Sequence, residues 1–408
     1  MDMKSLKDIN VGFDRKESTM KGITKYLILL ITALSVCVIN AEADIATQCP
    51  ATIINTATGE TNNPNIICKH LTAGDGFVKM ADGTDSYIFG FSDVTGVPDN
   101  QVMDMGMLMA NFSAPTLTVR EGQEFYLTLT NAGMMMRPDL FDPHTVHFHG
   151  FPNASSVFDG EPMASIAINM GNSITYYYNV VEPGTHMYHC HVEASEHMQM
   201  GMLGNLYVLP AQDGTSYGGY TTFAYNDGDG STGYDVAYPI QMVSFDPNFH
   251  AADLNIQPPP FALMKDTYTM LNGRGYPDTI NPSVILNMNG DPSQQINSLI
   301  TAAQGDKVLL RISSLSTTDF YTLAILGIPM KVVGTGARIL RGKGLPSGTD
   351  LYYNTNSVTL GGGESTDVIL DTTDVDPGTY FLYTTNLNDL SNNNEDFGGM
   401  MTEIVVTP

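Results

Sequence analysis

The sequence of this chain runs twice, and that repeat restricts it to a tandem fold. The stretch EGQEFYLTL (Glu121–Leu129) returns as QGDKVLLRI (Gln304–Ile312), and PGTHMYHCH (Pro183–His191) returns as PGTYFLYTT (Pro377–Thr385). GMLGNLYVLP (Gly201–Pro210) then returns as GMMTEIVVTP (Gly399–Pro408), and the three pairs keep the same order. Two copies of one unit therefore follow one another, ending at Pro210 and Pro408. Within a copy, Phe125, Leu127 and Leu129 alternate with Tyr126, Thr128 and Thr130, the pattern of a half-buried strand. Comparable short runs bounded by Gly, Pro, Asn and Asp recur along the 408 residues, and long helical periodicities are scarce. The expected class is all-β: two tandem Greek-key β-sandwiches, with enough chain for two separate cores.

The N-terminal region reads differently. Lys21 and Lys25 precede an apolar run from Tyr26 to Ile39, and Ala41-Glu42-Ala43 offers small residues for cleavage. That is the layout of a secretory signal, with Met20 as the expected start and residues 1–43 as the signal region. The run is too short for a comfortable membrane span, and bulky Val36 disfavours a lipid anchor at Cys37. The expectation is a periplasmic or extracellular protein with no integral membrane span after cleavage. In that oxidising setting Cys49 and Cys68 would close a disulfide within an N-terminal segment at 44–75. The remaining divisions are a first domain at 76–211, a Gly-, Asp-, Ser- and Thr-rich linker at 212–235, and a second domain at 236–408. Lysine and arginine total 18 against 43 acidic residues, a formal charge of −25. Nucleic acid and anionic membrane surfaces are poor partners for such a chain; cations and basic redox proteins fit better.

Export leaves Cys190 unpaired, and its surroundings give it a use. Seven of the nine histidines lie between residues 144 and 197. In HFH (His147–His149) and HCH (His189–His191) the histidines are two apart, so on a strand each pair shares one face. Cys190 then points away from His189 and His191, and one strand can serve two metal sites. The first would combine a thiolate (Cys190), two imidazoles (His144 and His197) and a weak axial thioether (Met202, with Met200 as the alternative). This soft, low-coordinate set suits copper cycling between +1 and +2; zinc also takes Cys and His, but rarely Met. The repeat adds a further point. Tyr383-Thr384-Thr385 lies opposite His189-Cys190-His191, and Tyr321, Ala324 and Leu326 lie opposite His144, His147 and His149. The second copy keeps the scaffold without these side chains, so they are not needed to close the fold.

The segments HTVHFHG (His144–Gly150) and HCHVEASEHMQMGM (His189–Met202) resemble the two copper motifs of multicopper oxidases, the laccase-like family of linked cupredoxin domains. The likeness extends over roughly residues 76–408. It implies two cupredoxin-like sandwiches, the first binding copper and the second without copper ligands. It also implies type 1 copper on His144, Cys190 and His197, with Met202 axial. His147, His149, His189 and His191 would supply type 2/type 3-like copper in a cluster that reduces dioxygen. Electrons from a donor (small molecule, metal ion or redox protein) would pass from Cys190 through the catalytic neighbours His189 and His191. Two departures stand out. The spacing from Cys190 to His197 is longer than in most laccase-like members. The family's cluster takes eight histidines in four pairs, whereas this chain has two pairs. A homo-oligomer that pools first domains across a two-fold axis is therefore expected. The alternatives are a nitrite reductase-like enzyme with a mononuclear site on His149 and His189, and an electron-transfer or copper-binding protein using the type 1 site alone.

Other features have plainer readings. Met103, Met105, Met107 and Met109 alternate, and Met134, Met135 and Met136 run together. Thioethers bind Cu(I), but a strand face packed into a core, or an adaptable contact surface, is the simpler expectation. Glu193 and Glu196 could relay protons; a solvated loop edge is the simpler expectation. His186 is expected beside the site without binding metal. His70 and His250 are expected at the surface, with His250 the one second-copy histidine that could act as a bridging ligand.

Overall fold

The computed structural model describes residues 48–151, 154–342 and 348–408, and the expected signal region at 1–43 lies outside them. Each copy of the repeat builds two facing sheets. In the first copy one sheet runs Ile53–Asn55, Glu60–Thr61, Ile66–Lys79, Glu124–Gly133, Ser173–Asn179, with Asp85–Asp93 added on Ile66–Lys79. The other runs Leu117–Arg120, Leu203–Leu209, Gly184–His189, His147–His149. The second copy repeats that order with Ile300–Ala303, Met401–Thr407, Gly378–Thr384 and Tyr321–Ile325, adding Ser357–Leu360 at the edge. In both copies the first pair is parallel and the next is antiparallel. These are the two tandem cupredoxin-like sandwiches expected. The register agrees residue by residue: His147 pairs with His189 as Ala324 pairs with Tyr383.

Phe125, Leu127 and Leu129 fill the first core with Phe89, Phe148 and Tyr188. Ile240, Leu310, Ile312, Leu323 and Ile404 belong to the second. A third cluster joins the copies, with Phe112, Met187 and Leu203 packed on Val243, Phe245 and Leu315. The Phe112 and Phe245 rings stack at 4.3 Å. At Met187 and Leu203 the outer face of the histidine-bearing sheet therefore lies against the second sandwich.

The strand Ile66–Lys79 runs through the boundary expected at residue 76. It pairs in parallel with Glu124–Gly133, as Val236–Phe245 pairs with Lys307–Ser314. Equivalent strands thus begin at Ile66 and Val236. The stretch read as a linker is folded: Phe223 bridges to Gly233, and Ala224 and Tyr225 pack on Leu309 and Ile369. Its turn forms because the Asp227 carboxylate accepts from the backbone N–H groups of Asp229, Gly230 and Thr232. The Cys49–Cys68 disulfide is formed, with Cα atoms 6.0 Å apart, and Cys190 is free and buried. No helix among the described residues is long and apolar enough to cross a membrane.

Three expectations need correction. Met103 and Met105 sit on helix α1 (Asp99–Gly106), not on a strand. Asp99 in the first turn favours a helix there, and Gly106 at its end lets it pack against Thr72, where a Cβ would come within 2.6 Å. His70 is half-buried in its strand, with Nε2 2.7 Å from Thr130 Oγ1. His250 is not a surface residue and faces no other histidine. It lies buried on α3 (Pro247–Leu254; α2 is Ala194–Gln199), with Nδ1 2.6 Å from the Tyr87 carbonyl and Nε2 2.9 Å from that of Gln199. It ties the second copy to the first through the backbone of Tyr87, in the strand Asp85–Asp93, and of Gln199, at the end of α2.

Burial outweighs those two carbonyls and holds the His250 imidazole down to about 4, against 6.5 in an unfolded chain. Between these values the unfolded state takes up a proton that the folded state does not, so stability falls as pH drops through that window. A His250→Gln variant keeps a polar group there but does not titrate. Its acid-side loss of unfolding free energy between pH 6.5 and 4 should be smaller than the parent's by about 3 kcal/mol. Urea unfolding at several pH values checks this; identical slopes would rule the assignment out.

Candidate metal centre

The site follows from the twofold alternation of one strand pair. Phe148 lies opposite Tyr188 and both point into the first core, so Cys190, two residues after Tyr188, joins them there. His147 lies opposite His189, and these point out of the other face with His149 and His191. The two donor sets sit back to back.

On the core face, Cys190 Sγ lies 3.2 Å from His197 Nδ1 and 3.7 Å from His144 Nδ1. The three ligand atoms lie within 4.8 Å of one another, and all three residues are fully buried. A two-way backbone bridge to Ile168, at 3.0 and 2.9 Å, fixes His144. The long segment from Cys190 to His197 leads into α2, which starts from Glu193 at φ 45° and carries His197. Cys190 N–H donates to the Met202 carbonyl (3.1 Å), and Met202 N–H donates to the His197 carbonyl (2.8 Å). The Met200 carbonyl accepts instead from Phe89 N–H (2.9 Å). Thr145 N–H reaches the sulfur at 3.5 Å, a donor that favours the thiolate.

Burial, reinforced by His197, keeps the His144 imidazole well below its ordinary range. Burial also pushes His197 down, but Cys190 and Asp142 outweigh it and hold the ring up at about 10. Both Nε2 atoms are buried without a hydrogen-bond partner, that of His197 being 3.9 Å from an Asp142 carboxylate oxygen. A dry cysteine sulfur with two converging histidine rings, in a core cluster that also holds Met200 and Met202, is a donor set that fits copper.

On the other face, His147, His149 and His189 bring ligand atoms within 4.8 Å of one another, with His149 Nε2 3.0 Å from His189 Nε2. The His191 ring stands 4.8 Å from that of His147 and 5.5 Å from that of His189. Three of these rings are fixed through Nδ1. His147 donates to the Asp159 carbonyl (2.6 Å), His149 to the Gly363 carbonyl (3.2 Å), and His189 to the Cys190 carbonyl (2.7 Å). A carbonyl only accepts, so each Nδ1 carries the proton and each Nε2 offers a lone pair. Two lone pairs facing each other at 3.0 Å repel unless a cation joins them. Burial pushes His189 down to about 3 against the pull of the Cys190 carbonyl, and it lowers His149 as well. Both rings are therefore neutral and free to bind metal at neutral pH.

Among the described residues the histidines expected to act lie on these two faces, His191 by ring distance alone, and the second copy adds no side chain to either group. His186 is buried, with its ring nitrogens 3.3 Å from the His149 carbonyl and 3.0 Å from that of Glu182. Glu196 is not on a solvated edge. It is half-buried on α2, where burial first and the Asp253 carboxylate second push it up to about 7. Asp253 itself pairs with Arg137. Glu193 is exposed. Thr145, Asp142, Asp159 and Gly363 were missed. Their residue types are ordinary, and Gly363 is 214 positions from the ring it holds.

Two family models, both described as multicopper oxidase, match residues 93–213 and 262–406. Together they cover well over half of the chain. No curated protein matches the sequence. Among solved structures, a blue copper oxidase from Nitrosomonas europaea aligns with TM-score 0.61 at 22% identity, over 83% of this chain and 85% of that one. A multicopper oxidase designated mgLAC aligns with TM-score 0.59 at 21% identity, over the same shares, 83% and 85%. A copper nitrite reductase from Nitrosomonas europaea gives 0.55 at 16% identity, over 84% and 94%. At these identities the structural likenesses establish the fold.

Proposed function

This chain belongs to the multicopper oxidase family and is a copper oxidoreductase, and we propose that it oxidises a donor one electron at a time at the Cys190 site and reduces dioxygen to water at the histidine site. Bound copper supplies reversible one-electron transfer at both. In this reading His144, Cys190 and His197 hold type 1 copper. Met202 rather than Met200 would supply the thioether, because its backbone is bonded to both Cys190 and His197. His147, His149, His189 and His191 hold the type 2/type 3-like copper.

One observation carries the reading. Cys190 faces the core while its two neighbours face the histidine cluster, so the donor sets are joined by peptide bonds. The His189 hydrogen bond to the Cys190 carbonyl (2.7 Å) adds a second link. Cys190, His189 and His191 thus form the electron path. The family's cluster uses twice as many histidines as the four here, and the second copy supplies none. A second subunit across a two-fold axis completes the cluster in this account. The donor is a small molecule, a metal ion or a redox protein, and the charge of −25 favours cationic ones. The Cys49–Cys68 disulfide supports a periplasmic or extracellular location.

A nitrite reductase-like reading has an observation of its own: His147, His149 and His189 form a three-imidazole set within one chain. The test is copper per chain, subunit number, and consumption of dioxygen or nitrite with a phenol or ferrous donor. More than two coppers per chain in an oligomer, with four donors oxidised per dioxygen, is the expected result. Two coppers with nitrite consumed instead would move the assignment to the second reading. One copper without turnover would leave an electron carrier and overturn both.

A further inference from the structure

Resting on the reading of His149 as a copper ligand, we propose that Gly363, in the sandwich that holds no ligand, is a positioning residue for the histidine site. The other two carbonyl anchors are local, since Asp159 lies 12 positions from His147 and Cys190 is adjacent to His189. Gly363 reaches His149 only because the two sandwiches dock.

The turn that carries Gly363 is built for this approach. It joins Ser357–Leu360 to Glu364–Asp371 through Gly361-Gly362-Gly363. Gly363 has φ +89°, and a Cβ there would lie 2.7 Å from His149 Cε1 and 2.8 Å from Nδ1. A Cβ on Gly362 would lie 2.2 Å from the Ser316 carbonyl oxygen, so the turn is confined on its far side too. Three hydrogen bonds hold it: Gly363 N–H to the Ser314 carbonyl (2.8 Å), Gly361 N–H to the Glu364 carboxylate (2.7 Å), and Glu364 N–H to the Gly361 carbonyl (3.2 Å). Only glycine lets this carbonyl meet the imidazole. The contact keeps the proton on Nδ1 and aims Nε2 at His189; without it the ring could rotate and present either nitrogen. A sandwich with no ligand of its own thereby sets the geometry of one.

The test is copper affinity at the histidine site, by competition with a chelator, in the full chain and two variants. The blue thiolate absorption at Cys190 serves as an internal control. Gly363→Ala should bind this copper about 10- to 100-fold more weakly, with the blue absorption unchanged. Gly336→Ala is the control for strain, since Gly336 has φ +56° with nothing within 4 Å of its Cβ position; it should match the parent at both sites. Parental affinity in Gly363→Ala would overturn the proposal. Should that variant not fold, nitrogen-15 NMR of histidine-labelled, copper-stripped parent protein decides the matter. His149 protonated on Nδ1 supports the proposal, and protonation on Nε2 overturns it. A parent protein that takes up only the Cys190 copper would instead overturn the reading of His149 as a ligand, and the NMR result separates the two failures.

Discussion

A Cys190→Ser variant should lose the blue absorption and oxidise donor about a thousandfold or more slowly, while remaining folded. The sulfur is fully buried between His197 Nδ1 (3.2 Å) and His144 Nδ1 (3.7 Å), with Thr145 N–H directed at it. Serine is nearly isosteric, and its hydroxyl can keep the hydrogen bond to His197, so packing survives at a cost of about 1 kcal/mol. The soft sulfur is what the substitution removes. A serine hydroxyl stays protonated at neutral pH and gives the site a hard, neutral oxygen that holds copper poorly. Visible absorption, copper content and donor oxidation measured side by side check this. Copper at the histidine site should remain. A variant that loses its colour but turns over at the parental rate would remove the Cys190 site from the reaction.

The second large effect is expected at the opposite face. His189→Ala should lose the histidine-site copper and about a thousandfold or more of turnover, yet stay blue when oxidised. His189 is buried, and its Nε2 is the nearest partner of His149 Nε2, at 3.0 Å. Its deletion also leaves a cavity, for a stability loss of about 2 kcal/mol. A donor should bleach such a protein once, and air should then fail to restore the colour. Because His189 adjoins Cys190, His149→Ala provides the same test without touching that neighbour. Recovery of colour in air at the parental rate in both variants would mean that dioxygen is reduced elsewhere.

Much of this site was legible in the sequence because it depends on short-range geometry. Residues two apart share a strand face, so HFH and HCH place four histidines on one side and Cys190 on the other whatever the rest of the chain does. The repeat was equally readable, and the pairings of His147 with His189 and of Ala324 with Tyr383 follow it. Where period two misled, another local effect prevailed: Met103 and Met105 alternate, but helix α1 takes that segment. Glu196 and His250 were misread for a different reason. Their burial comes from α2 and α3 packing at the junction of the copies, and polar residue types gave no hint of it.

The sequence by itself determined the tandem sandwiches, the two-faced strand and the copper-type donor set, because each depends on spacing within a segment. Tertiary structure alone decided which carbonyl holds His149, which carboxylate stands beside His197, and that His250 joins α3 to Tyr87 and Gln199 of the first copy. Those contacts link residues distant along the chain. They exist because the outer face of the histidine sheet is apolar at Met187 and Leu203 and buries itself against Phe245 and Leu315 of the second sandwich. Docking by non-directional apolar burial brings Gly363 to His149, and no pattern local to either segment records that meeting.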